Sequence, residues 1–364
     1  MTNREQEILD LINKNPMISQ NEIAETLGIT RSSVAVHISN LIKKGYILGR
    51  GYIVRSNSYV AVVGGANIDI QGIPYDKLIY RDSNPGKVKF SLGGVGRNIG
   101  ENLARLGVPV KLISVLGNDV LGKKIIDESK SVGIDMKDSL ILEGESTSTY
   151  LSILDEDRDM ILSISHMDLL DRMTVDFIKD KSHIIENALA LVIDTNIPRD
   201  VIEYLVTTYR DKIFFLDTVS STKALKVKDL IGHFHTIKPN KIEAEILSGI
   251  KIDSEDDLKR AGEYFLNQGV KRVFISLGSD GVFYHDGTTT GRVKGPSIEV
   301  VNATGAGDAF MAALVYSYLK DKGIKESAKM GIAASMIALS HENTISPNMS
   351  VNNIEFYMEE VNIC

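Results

Sequence analysis

The residues best equipped for chemistry lie in one run, Val300-Val-Asn-Ala-Thr-Gly-Ala-Gly-Asp-Ala-Phe310, where an apolar strand end, a glycine-rich turn and one carboxylate lead into an apolar helix, Ala309 to Leu319. A turn through Gly305 to Gly307 leaves the N–H groups of Gly305, Ala306 and Gly307 without intrahelical partners, at the positive end of the helix dipole. Amides so placed bind phosphate. Asp308, in the first helical turn, then stands beside a held phosphoryl group, positioned to take a proton from an attacking hydroxyl. The chemistry expected is phosphoryl transfer to an alcohol. The same residues also fit a plain glycine turn with Asp308 as an ordinary helix-start residue.

A site of this kind needs an acceptor pocket and a sheet to hold it. Tyr59-Val-Ala-Val-Val-Gly-Gly-Ala-Asn-Ile-Asp-Ile70 reads as a buried strand running into a Gly-Gly turn and then a polar pair, Asn67 and Asp69. Ligands of open α/β sheets sit at such strand ends, and Asp69 can accept from two neighbouring sugar hydroxyls. Ser91-Leu-Gly-Gly-Val-Gly-Arg-Asn-Ile99 is a second glycine-rich turn. Its Gly93 and Gly94 permit close backbone approach, and Asn98 on the first helical turn can hydrogen-bond a small polar ligand. Lys111 to Leu116, Ala190 to Ile193, Lys212 to Leu216 and Arg272 to Ser276 read as short buried strands separated by helical stretches, which predicts an α/β fold.

Residues 1–56 are of another kind. Ile8, Leu11 and Ile12 recur at helical spacing, a second short helix ends at Gly28, and a third runs from N-cap Thr30 to a stop at Gly45 with Val34, Ile38, Leu41 and Ile42 as its buried face. Tyr46 to Val54 alternates around Gly49-Arg50-Gly51 as a short hairpin. These residues resemble a winged helix-turn-helix along their whole length. That resemblance implies DNA binding, with Arg31, Ser32, Ser33, His37 and Asn40 offered to a major groove and Lys43, Lys44 and Arg50 to phosphates. The alternative is a small helical dimerisation module with a solvated polar face.

Charge divides the chain the same way. Residues 1–55 carry seven basic and five acidic side chains, a net of +2, while the remainder carries −9 of the total −7. A mildly basic head on an acidic body points to different partners for the two. With 364 residues and 43% hydrophobic content the chain can bury more than one core. The one cysteine, Cys364, allows no internal disulfide, so a reducing compartment is expected. The first residues lack the apolar run of a signal peptide, and no stretch approaches the roughly 18 apolar residues of a membrane helix. A cytoplasmic protein without a membrane partner is the expectation. The seven histidines show no metal-ligand spacing, and His233 and His235, two apart on what reads as a strand, are expected to be structural.

Leu92 to Gly107 and Val300 to Phe310 resemble the two signatures of the ribokinase-like (PfkB) carbohydrate and nucleoside kinases, and the resemblance covers all of residues 57–364. It implies a doubly wound, mostly parallel sheet with a small β lid over the sugar. Asn84-Pro-Gly-Lys-Val88, Gly93-Gly-Val-Gly-Arg-Asn98, Ser146 to Leu154 and Leu216 to Thr222 look most like the pseudouridine kinases, a group in which some bacterial members also carry an amino-terminal helix-turn-helix. Pseudouridine plus ATP, giving pseudouridine 5′-phosphate plus ADP, is therefore the expected reaction. The alternatives are another nucleoside or sugar as substrate, or a transcription regulator whose kinase-like body only senses ligand.

The resemblance also distributes roles. Ser146 to Thr149 fits a lid strand whose hydroxyls, Thr149 among them, meet the base or ribose, or else a plain polar edge strand; Lys87 and Lys89 are lid contacts or a solvated face. Asn196 matches the second polar residue on the sugar side. Asn240 and Glu243 match an Asn-x-x-Glu element that acts on Mg²⁺ and the phosphates, a spacing that is equally a helix-capping pattern. Ser276 and Gly278 are expected beneath the nucleotide, Ile324 to Leu339 beside the adenine, and Asn343 as a polar contact closing that pocket. Asn302 stands where the family commonly has Asp, at a position associated with a monovalent cation, which leaves K⁺ activation open. A homodimer is expected.

Overall fold

Thr2, Ser19 and Thr30 each open a helix, because a hydroxyl on the residue before the first turn accepts one of the N–H groups that turn cannot satisfy. In the computed structural model, which describes residues 1–16, 18–47, 58–157 and 159–363, these helices are α1 (Asn3–Lys14), α2 (Gln20–Leu27) and α3 (Arg31–Lys43). Glu5 and Glu22 return the bond to the cap backbone and complete capping boxes in α1 and α2. Ile8, Ile12, Ile23, Val34, Ile38, Leu41 and Ile47 form one core. Ile42 was expected in it but is exposed: Val34, Ile38 and Leu41 follow one stripe of the helix, and position 42 has rotated off it. Of the expected hairpin, Tyr46 to Val54, residues 48–54 with Arg50 lie outside the described residues, as does Cys364.

The chain divides into two units, Met1–Ser58 and Tyr59–Cys364. The second begins with β1 (Val60–Val63), β2 (Asn67–Pro74), β3 (Gly86–Gly93), α4 (Val95–Arg105), β4 (Val110–Ile113), β5 (Val115–Gly117), α5 (Val120–Ser131), β6 (Ile134–Asp135), β7 (Leu140–Leu142), β8 (Thr149–Leu154) and β9 (Met160–His166). It continues through α6 (Val175–Asp180), α7 (Ser182–Asn187), β10 (Ala190–Asp194), α8 (Arg199–Thr208), β11 (Phe214–Asp217), α9 (Ser221–Ala224), β12 (Thr236–Ile237), α10 (Lys241–Ser248), α11 (Glu255–Gln268) and β13 (Arg272–Ser276). It closes with β14 (Val282–His285), β15 (Thr290–Lys294), α12 (Ala306–Leu319), α13 (Ile324–Leu339), α14 (Val351–Met358) and β16 (Asn362–Ile363).

A ten-stranded sheet runs in the order β16-β15-β14-β13-β12-β11-β10-β1-β4-β6. From β13 to β6 every pairing is parallel, and only β14 to β16 are antiparallel. The parallel strands are mostly apolar, as in Val60–Val63 and Ala190–Ile193, because helices cover both faces. Lys111 to Leu116 is not one strand. Ser114 interrupts it: its N–H donates to Ser139 Oγ, which donates to Leu112 O, and the chain leaves the main sheet to pair β5 with β7. His233 and His235 likewise do not share a strand, since His233 ends a short 3-10 turn before β12. Burial and the nearby Arg272 and Lys271 push His235 down to about 4, and its ring bonds Thr236, a structural role as expected.

The second sheet, β3-β2-β8-β9, is a lid. Asp69 lies opposite Ser91 on one side and Tyr150 on the other. Since side chains alternate along a strand, Asp69, Gln71, Lys89, Ser91, Tyr150, Ser152 and Ser165 all face one cavity. Val88, Phe90, Leu162 and Ile164 lie on the opposite face, each more than half exposed. The lid thus turns its polar face inward and its apolar face out.

Candidate active site

Three strand ends and two helix starts converge on this cavity. The turn after β1 brings Gly65 and the start of β2 brings Asn67, β10 leads to Asn196, β11 leads to Val219 and Lys223, and α4 and α12 present Asn98 and Asp308. Its volume is about 500 Å³. Asn67 Nδ2 donates to Asp69 Oδ1 at 2.7 Å, so Asn67 orients the carboxylate. Burial pushes the Asp69 carboxyl up, against the pull of that bond and of Arg97. Gly93 is tight against it: a Cβ there would sit 2.4 Å from Asp69 Oδ2. Gly94, the next residue, lines the cavity itself.

Helix α12 is buried almost all round, Ala309 to Val315 packing against α4, α13 and the sheet, as expected of a helix apolar on every face. Phe310 stacks edge-on to Phe274 with ring centres 6.2 Å apart. Its first turn is strictly shaped. Gly305 holds φ +86°, and a Cβ there would lie 2.1 Å from Thr344 O. No side chain caps the helix, so its first amides stay available to a ligand. Asp308 Oδ2 accepts from Asn98 Nδ2 at 2.8 Å, which joins the first turns of α4 and α12. Asn98 is held in turn by its helix, where buried Arg97 bonds Glu101 at 2.7 Å and Ser129 at 3.2 Å. Asn98 Oδ1 has no hydrogen-bond partner among the described residues.

A second cavity of about 460 Å³ opens on the other side of the same turn. Gly305 and Asp308 line the first cavity, while Ala306 and Gly307 line the second together with Lys238, Ser276 and Gly278. Ile298, Val300, Ile332, Met336 and Leu339 make its wall apolar. Lys238 is buried with its Nζ 3.5 Å from Asp217 Oδ2. Burial opposes its charge, but Asp217, Glu243 and Asp308 prevail and hold its ammonium above the ordinary value. Asp308 is pushed up to about 8, first by burial and then by Asp217, with Asn98 and Lys238 opposing. That places a carboxyl near neutrality beside a row of free amides, where it can exchange a proton.

Several expected contacts fall elsewhere. Thr149 does not line the cavity, because Tyr150 and Ser152 take the inward positions of β8. Of the hydroxyl run before it, Thr147 is structural: its Oγ1 donates to Asp119 at 2.6 Å. Asn343 lines the polar cavity, with Glu342 and Thr344, and not the apolar one. Asn240 and Glu243 line neither; they form the capping box of α10, and Glu243 Oε2 also accepts from Thr218 at 2.7 Å. In the head, Arg31, Ser32, Ser33 and Lys43 are exposed on α3, whereas His37 and Asn40 are half-buried. Lys44 is committed to Glu5, Nζ lying 2.8 Å from either carboxylate oxygen and holding that carboxyl down at about 2.

The model of the pfkB family of carbohydrate kinases matches residues 57–351. The chain belongs to that family. It is an ATP-dependent kinase with a ribokinase-like α/β fold, and residues 1–47 match the winged helix-turn-helix DNA-binding model. The kinase is 38% identical to the uncharacterised sugar kinase YeiI of Escherichia coli over 97% of this chain and 98% of that one. It is 37% identical to the pseudouridine kinase of the same organism, over 83% and 96% respectively. A Clostridium perfringens crystal structure superposes with a TM-score of 0.78 at 44% identity, covering 85% of this chain and 98% of that one.

Sequence reading missed four charged residues of this kinase. Asp194 and Asp217 each end an apolar strand, and Lys238 directly follows one; charge at the carboxyl end of a buried strand was the available signal. Asp194, wholly buried, accepts from the N–H groups of Gly65 and Asn196, both at 2.8 Å, and so ties β10 to the turn after β1. Lys223 bonds Asn196 Oδ1, with burial pushing its ammonium down; nothing in its local sequence marks it.

Proposed function

We propose that this kinase transfers the γ-phosphoryl group of ATP to the ribose 5′-hydroxyl of pseudouridine. The observation that carries the reading is the start of α12, shared between a polar and an apolar cavity. The nucleoside occupies the polar side, with Asp69 accepting from ribose hydroxyls and Asn98 Oδ1 and Asn196 offering further polar contacts. The adenine occupies the apolar side against Ile332, Met336 and Leu339, above Ser276 and Gly278. Asp308 takes the hydroxyl proton as its oxygen attacks the γ-phosphorus. The bond from that phosphorus to the β,γ-bridging oxygen breaks, and ADP leaves. Charge that develops on the phosphoryl oxygens meets the amides of Gly305, Ala306 and Gly307 and the ammonium of Lys238.

The described residues hold no group of three or more His, Cys, Asp or Glu side chains able to cage a metal. Glu243, fixed near Lys238 by the α10 capping box and outside both cavities, would act on an Mg²⁺ that arrives with the nucleotide only through the waters the metal keeps. Bound there, it would neutralise phosphate charge. Among relatives, the 37% identity to a pseudouridine kinase supports the choice of nucleoside. The reaction belongs in the cytoplasm, where ATP is. The amino-terminal unit binds DNA through α3, and a second copy of the chain covers the apolar outer face of the lid, because an isologous contact lets one patch serve both partners.

An ADP-release assay over pseudouridine, uridine, inosine, ribose and fructose 6-phosphate tests the substrate. Pseudouridine is expected to have the highest kcat/KM, with the phosphate at O5′ in the phosphorus NMR spectrum. A higher kcat/KM for any other compound would transfer the assignment to it.

A further inference from the structure

The segment entering α12 is strapped to the end of α13 and the loop that follows it. Val301 and Asn302 both direct their backbone N–H to Leu339 O, at 2.9 and 3.3 Å. Gly305 packs against the Thr344 carbonyl. Between these points stands the Asn302 side chain: Oδ1 accepts from Thr304 N–H at 2.9 Å, and Nδ2 donates to Glu342 O at 3.0 Å. Asn302, Thr304, Gly305, Glu342 and Thr344 all line the polar cavity, so this one amide spans the two walls nearest the phosphoryl-binding turn.

A monovalent cation here would need oxygen lone pairs converging on it from both loops. The donor set does not fit. The Glu342 carbonyl is already met by an N–H, the Asn302 oxygen by the Thr304 amide, and the side chain brings no negative charge. We propose that the Asn302 amide does the work of a bound monovalent cation, joining two carbonyl-bearing loops, and that turnover in this kinase is indifferent to K⁺. A carboxylate at the same position would lose the donor, face the Glu342 carbonyl with like charge and call for a cation between them. Asn302 is a positioning residue on this account, acting through the backbone of Thr304 and Gly305. The inference rests on the reading of that turn as the phosphoryl site.

The test compares initial rates in KCl, NaCl and tetramethylammonium chloride at one ionic strength, with melting temperatures in the same salts. The natural protein is expected to turn over equally in all three and to melt at the same temperature. Asn302→Asp is expected to be about tenfold slower in tetramethylammonium, from the lost hydrogen bond and the new repulsion, with rate and melting temperature restored by K⁺. Stimulation of the natural protein by K⁺, or an Asn302→Asp variant blind to the cation, overturns the proposal. Should that variant not fold, the natural protein's salt series decides alone. The melting readout needs no substrate, so a wrong phosphoryl site would show as K⁺-dependent melting of Asn302→Asp with turnover unaltered.

Discussion

Asn98 Nδ2 and Asp308 Oδ2 lie 2.8 Å apart although 210 positions of chain separate the two residues. The bond is charge-assisted when Asp308 is ionised, so it favours the form that can accept a proton. Asp308 is otherwise driven toward neutrality by burial and by Asp217, and settles at about 8. Because the ionised form is the base, kcat/KM should rise with pH through that region. Asn98→Ala removes a bond that lowers the pKa, so the acid limb should move to higher pH, by up to about one unit. A pH profile of kcat/KM reads it, and an unmoved limb would separate Asn98 from the base.

Asp308→Asn keeps the shape and the bond partner but not the proton acceptor. Its kcat should fall by a factor of about 10²–10⁴. Folding should survive, and the sign is checkable. A carboxyl whose folded pKa is raised to about 8 gives stability that is full below its unfolded value and lost as pH rises through the folded one. Above pH 8 the variant should therefore melt higher than the natural protein. Near-full turnover in a folded variant would remove Asp308 from the mechanism.

Asp69 is aimed by Asn67 and belongs to β2, not to the first turn of α12. Asp69→Ala should raise KM for the nucleoside roughly 10- to 100-fold, the range for hydrogen bonds to a charged group, with kcat much less affected. A fall in kcat at unchanged KM would mean that Asp69 serves the chemistry and not the grip.

The outer face of the lid offers a test of assembly. Phe90→Glu combined with Leu162→Glu puts charge on an exposed apolar patch and should convert a dimer to a monomer in size-exclusion chromatography with light scattering. A natural protein that is already monomeric would reject the lid contact.

Removal of residues 1–58 deletes one of the two units and should abolish DNA binding while leaving nucleoside phosphorylation within about twofold, as changes remote from a site usually do. Band shifts with genomic fragments and the ADP-release assay measure the two. Unchanged band shifts would take DNA recognition away from α3.

Much of this protein is local and could be read along the chain. The glycine-rich turn is contiguous, since Gly305, Ala306, Gly307 and Asp308 need only each other and the first turn of α12 to expose their amides beside a carboxylate. The helix caps at Thr2, Ser19 and Thr30 are equally local, each reaching an amide three residues on. Periodicity marked the apolar strands because burial on both faces leaves no room for polar side chains. What folding alone decided is which distant groups share a dielectric. Lys238 is cationic because Asp217, Glu243 and Asp308 surround it in a buried site. Asn98 became the partner of Asp308, and Asn343 came to the polar cavity while Ala306 and Gly307 turned to the apolar one. Strand parity turned Thr149 away and Tyr150 in. A residue's type and neighbours state what it can do, but Coulomb energy and desolvation depend on distances through space, and those exist only once the sheet, the lid and the two helix starts have closed on one another.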